Sequence, residues 1–99
     1  MSGSAMAPVL IVTYDRLEHL KKTITSLRNN IYAEQTDLYI ASDFQRSDSK
    51  AEIVHAIRSY LKSVDGFKSV TVFERERNLG VNENGGLAVQ FIFDKFDRV

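Results

Sequence analysis

The chain has 99 residues, 43% of them hydrophobic and 26% charged, with zero formal net charge and no cysteine. That length allows one domain, which buries roughly 65% of its unfolded surface on folding. Balanced charge excludes the basic field that draws proteins to nucleic acid or anionic lipid, and the lack of cysteine excludes disulfides and thiolate metal sites.

Met1-Ser2-Gly3-Ser4-Ala5-Met6 has neither the basic start nor the apolar middle of a signal peptide. Residues 1–7 therefore read as a tag or disordered terminus before one domain spanning 8–99. No apolar run approaches a membrane span, and a cysteine-free chain suits a reducing compartment, so the expected setting is cytoplasmic.

Pro8 stands where a strand can begin, because no ladder donor is yet required there. Val9-Leu10-Ile11-Val12-Thr13 follows, apolar on both faces as a covered parallel strand should be. The loop Tyr14-Asp15-Arg16 leads into a helix, with Asp15 reading as its cap ahead of a ligand-binding acid, and Glu18 completing a capping-box variant. The apolar stripe is Leu17, Leu20, Ile24, Leu27 and Ile31.

The second strand is Leu38-Tyr39-Ile40-Ala41-Ser42, followed by the polar loop from Asp43 to Asp48. Ser49-Lys50-Ala51-Glu52 opens a second helix whose apolar face is Ile53, Ala56, Ile57, Tyr60, Leu61 and Val64. Gly66 stops it. Val70-Thr71-Val72-Phe73 is the third strand, with a long loop from Glu74 to about Asn84. Within that loop Glu74-Arg75-Glu76-Arg77 reads as a solvated charge run. The third helix, roughly Asn84 to Phe96, is apolar on most sides and expects cover on most sides.

Three strand–loop–helix units in succession predict an α/β fold, a three-layer Rossmann-like parallel sheet of βαβαβα order. In such a sheet the loops leaving the strands' carboxyl ends line the ligand crevice. Here the first loop has no Gly-x-Gly-x-x-Gly and the chain has no Gly-x4-Gly-Lys-Ser/Thr, which removes the dinucleotide and P-loop readings. A phosphoacceptor receiver would need two adjacent acids after its first strand, and they are absent.

The loops nevertheless carry candidate binding residues. Thr13, Tyr14 and Arg16 bring a hydroxyl, an aromatic face and a guanidinium to a helix start. Asp43 reads equally as an acceptor for a ribose hydroxyl or base N–H and as a turn-forming residue. Arg16 reads equally as a phosphate contact and as a solvated cation. Asn78, Gly80 and Asn84 offer amides and permissive backbone near a helix start, or simple loop chemistry. Asp43 and Asp48 make a poor metal pair, because a hard cation wants more oxygens than this loop supplies. His19 and His55 lie off the apolar stripes and read as surface residues. Tyr39 reads as packing.

Thr13-Tyr14-Asp15-Arg16, Ser42-Asp43 through Ser47-Asp48, Asn78-Leu79-Gly80 and Asn84-Gly85-Gly86-Leu87 occur in an order and spacing that resembles the A-type nucleotide-sugar glycosyltransferases, over residues 8 to 99. Ser42-Asp43 replaces the paired aspartates usual in family two, and Glu83 stands where an arginine is usual. The single aspartate of Tyr14-Asp15-Arg16 is closer to relatives of the N-acetylglucosaminyltransferase-I type.

The resemblance implies a donor that is a nucleotide-sugar, with a uridine diphosphate sugar favoured. Thr13, Tyr14, Arg16 and Asp43 would hold base and ribose, and Asn78, Gly80 and Asn84 would lie nearer the sugar-phosphate. It implies a divalent metal (Mn or Mg) in the full-length enzyme, held by a motif beyond a fourth strand of which Asp97-Arg98-Val99 would be the first step. No catalytic or metal-ligating residue is then expected in this chain, nor turnover by it alone. An unpaired first strand would leave an apolar edge open to homodimer formation. The alternative reading is a stand-alone α/β binding or interaction domain without catalysis.

Overall fold

The computed structural model describes residues 7–96. The readings of residues 1–6 as a tag and of Asp97-Arg98-Val99 as the opening of a further strand lie outside the described residues.

Strands β1 (Val9–Thr13), β2 (Asp37–Ser42) and β3 (Ser69–Glu74) form a parallel sheet in the order β1-β2-β3. Thr13 pairs with Ser42, and Ser42 with Glu74, so the three carboxyl ends finish level with one another. Parallel neighbours need a crossover. Helix α1 (Leu17–Arg28) supplies the first and α2 (Ala51–Leu61) the second, while α3 (Gly80–Phe96) follows β3.

The central strand shows why the layers form. Side chains alternate along a strand, and β2 is covered on both sides. Leu38 and Ile40 join Leu20, Ile24, Ile57 and Leu61 in the main core beneath α1 and α2. Tyr39 belongs to the other side. Its ring stacks on Phe73 at 6.1 Å between centroids and meets Phe96 of α3 edge-on at 6.2 Å. Phe91 closes the group, edge-on to Phe73 at 5.1 Å. The result is the three-layer, Rossmann-like α/β architecture that the sequence pattern predicts, with Tyr39 a packing residue as expected.

Five local expectations change. Asp15 does not cap α1. Arg16 precedes the helix with no side-chain cap bond, and the Asp15 carboxylate lies 3.1 Å from Lys50 Nζ instead. The α1 stripe ends early: the helix stops at Arg28, the Asn30 side chain accepts a bond from the Tyr32 N–H at 2.8 Å, and Ile31 is 84% exposed. Asp48–Lys50 forms a 3-10 turn before α2, whose buried residues are Val54, Ile57 and Leu61. Gly66 does not stop α2, which ends at Leu61 with Lys62 as its C-cap; its φ of +89° turns the loop that follows instead. Finally, α3 starts at Gly80, a full turn before Asn84.

Candidate functional site

The β1–α1, β2–α2 and β3–α3 loops meet at the carboxyl edge of the sheet. Main-chain bonds set their stems: the Asp43 N–H donates to the Thr13 carbonyl at 3.0 Å, and the Arg75 N–H to the Ser42 carbonyl at 3.0 Å. Tyr14 then joins the first loop to the second, its hydroxyl accepting the Arg46 N–H at 2.9 Å. The Asp15–Lys50 ion pair, with Asp15 on the cleft lining, ties the same two loops.

Asp43 joins the second loop to the third. It is 3% exposed, and its carboxylate is met by N–H donors on both oxygens. Oδ1 accepts from Phe44 N at 2.8 Å and Leu79 N at 2.9 Å. Oδ2 accepts from Gly80 N at 2.9 Å and, at 3.4 Å, from Asn78 Nδ2. Asn78 Nδ2 is nearer the Phe44 carbonyl, at 2.8 Å. Gly80 turns the chain into α3 with φ +83°. Its N–H and that of Leu79 belong to the start of a helix, where free donors favour an anion, and Asp43 is that anion.

Asn84 lies one turn inside α3 and is fully buried. Its amide nitrogen donates to the Ala41 carbonyl at 3.1 Å, and its amide oxygen accepts from Arg75 Nε at 2.7 Å. Arg75 Nη2 also donates to the Asn84 carbonyl, and the guanidinium stands 5.1 Å from the Phe73 ring. The charge run is therefore not wholly solvated: Arg75 folds inward, while Arg77 takes the outer pair with Glu83 at 3.6 Å.

These loops enclose a cleft of about 360 Å³, a volume within the range of small-molecule sites. Thr13, Tyr14, Arg16, Asp43, Asn78, Gly80 and Asn84 all line it. They divide into two groups. The side-chain polar atoms of Asp43 and Asn84, and Nδ2 of Asn78, are engaged within the protein, so these residues form wall and floor. Gly80 borders the space with its N–H already given to Asp43, and Thr13, Tyr14 and Arg16 border it with fewer internal commitments.

Arg46, Val12 and Val81 also line the cleft without having stood out in the sequence, as do Asp15, expected to cap α1, and His19, expected at the surface. His19 is exposed, yet it faces the cleft from the first turn of α1. Its position three residues after Arg16 was the available signal. Arg46 had none, since only the Tyr14 hydroxyl bond brings it over the cleft. Arg16 and Arg46 have no acidic partner within ion-pair distance among the described residues, while the two acids of the lining are taken up, Asp15 by Lys50 and buried Asp43 by N–H donors.

Level parallel strands with a loop cleft at their carboxyl ends define an α/β domain of the Rossmann-like class. Residues 9–90 match glycosyl transferase family 2, and the chain belongs to that family. No curated protein and no solved structure matches it. Among the described residues no helix is long and apolar enough to cross a membrane.

Proposed function

We propose that the cleft binds the nucleoside diphosphate portion of a nucleotide-sugar, a uridine diphosphate sugar first, as donor for glycosyl transfer. The observation that carries this reading is a cleft bordered by all three strand-end loops, with Arg16 and Arg46, unpaired among the described residues, at its rim. Tyr14 offers a ring face to a base and Thr13 a hydroxyl to a ribose. Arg16 and Arg46 are placed for the diphosphate, whose growing charge a transferase must stabilise as the sugar departs. Asp43, Asn78 and Asn84 hold the walls of the cleft through their internal hydrogen bonds.

Manganese or magnesium, implied by the family resemblance, finds no ligand set here. No three His, Asp or Glu side chains converge among the described residues, and Asp43 is saturated by N–H donors. These residues bind and orient the donor, and none is assigned a bond-making step. A cysteine-free chain suits the reducing cytoplasm as the setting for this activity.

Titration with uridine diphosphate, followed by amide NMR, tests the reading. Shifts confined to Tyr14, Arg46, Asn78 and their neighbours, saturating in the millimolar range or below, are expected; shifts scattered over the surface, or none, overturn it. A second reading, an interaction module, draws on the exposed Leu87, Val89 and Phe93 of α3. We extend it only to self-association through the open edge of β1.

A further inference from the structure

The structure assigns to Arg58, on α2, the role of a positioning residue for the cleft, an inference that rests on the donor-site reading above. Arg58 does not line the cleft. Its guanidinium lies behind it, under the carboxyl ends of β2 and β3. Nε donates to Ser42 Oγ at 3.1 Å. Nη2 is within bonding distance of the Ser42 carbonyl at 3.0 Å, the Asp43 carbonyl at 3.1 Å and the Arg75 carbonyl at 2.9 Å. The Phe44 ring centroid stands 6.0 Å from its central carbon.

Strand ends at a loop leave carbonyls that the sheet does not use, and buried carbonyls need donors. Arg58 supplies them for both loop stems at once. Its contacts are the residues from which the cleft walls spring. The Asp43 main chain is held by Arg58, while the Asp43 side chain holds Leu79 and Gly80. The Arg75 carbonyl is held by Arg58, while the Arg75 side chain holds Asn84. One guanidinium therefore sets the separation of the second and third loops, although it touches neither Leu79 nor Gly80. No carboxylate pairs with it among the described residues, so its charge is spread over backbone dipoles. A lysine could not take its place, because an ammonium lacks the planar fork that spans these acceptors.

The consequence is read at a distance, in the free protein. In Arg58→Lys and Arg58→Gln, hydrogen exchange at the Leu79 and Gly80 amides should quicken about tenfold or more relative to Ile24 and Ile57 in the core, as expected for loss of charge-assisted bonds. Ser42→Ala removes one acceptor only and should move the same ratio less, in the same direction; it serves where an Arg58 variant does not fold. A ratio unchanged in the folded variants, or exchange that quickens equally at Leu79, Gly80, Ile24 and Ile57, overturns the role. Uridine diphosphate affinity should fall in parallel with the ratio. Failure of the wild-type chain to bind that nucleotide would sink the donor-site reading alone, since the exchange ratio is measured without ligand.

Discussion

At the scale of single residues, charge at this site is split between groups that build the cleft and groups that face it. Asp43 is a builder. A carboxylate accepting several N–H bonds in a dry setting cannot be exchanged for its amide, because one side of the amide is itself a donor. In Asp43→Asn, whichever way the amide turns, its NH₂ meets N–H groups of Phe44, Leu79 or Gly80. The variant should lose about 2–3 kcal/mol of stability, visible as a lower urea midpoint at unchanged slope. A midpoint within error of wild type would show that those bonds contribute nothing. Arg16 and Arg46 are facing residues. Replacing either by alanine should weaken uridine diphosphate binding about tenfold, the worth of a charge-assisted bond, and leave uridine binding unaltered. Equal losses for uridine and its diphosphate would mean that these arginines shape the cleft instead of reading its ligand.

Elements were legible in the sequence where one rule governs and obscure where tertiary bonds override it. β1 runs from Val9 to Thr13, as its apolar run predicts, and β2 and β3 gain only end residues of weaker strand preference. The start of α3 was misplaced because Asn82-Glu83-Asn84-Gly85-Gly86 is a poor helix former. What recruits it is outside the helix: Asp43 on the first N–H groups, and Ala41 and Arg75 on Asn84. All seven candidate site residues were visible as unusual loop chemistry. Their division into residues that build the cleft and residues that face it was not, since it depends on who meets whom across 30 or so residues. Arg58 gave no sign at all, being one more cation off an apolar stripe. The helix start makes two glycines differ in a measurable way. Gly86 lies in the helix with open space around its Cα, so Gly86→Ala should add about 0.5–1 kcal/mol. Gly80 also has open space, but its φ of +83° penalises any Cβ. Gly80→Ala should therefore cost about 1 kcal/mol or more. Thermal unfolding separates them by sign, and two shifts in the same direction would mean that the helix begins elsewhere.

At the scale of the whole molecule, the two faces of the sheet are unequally covered. α1 and α2 close one face over the main core, whereas α3 alone serves the other. Tyr39, Phe73, Phe91 and Phe96 fill what one helix can fill, and the far side of α3 is left with Leu87, Val89 and Phe93 half exposed or more. β1 has β2 as its only strand neighbour among the described residues, and Val12 near its end is 37% exposed. An unpaired strand edge beside an apolar helix is a template for a second strand. Two copies meeting edge to edge at β1 would pair the free backbone groups and bring their α3 helices toward one another. Sedimentation velocity should then show a weight-average mass that rises with concentration toward that of a dimer. Val12→Lys puts a charge on the edge strand and should hold the chain monomeric. Phe93→Lys, on the helix alone, should weaken association without abolishing it. If Phe93→Lys abolishes association and Val12→Lys leaves it intact, the contact is helix to helix and the strand edge has no part in it. A mass that stays at one chain over the whole concentration range removes the dimer altogether.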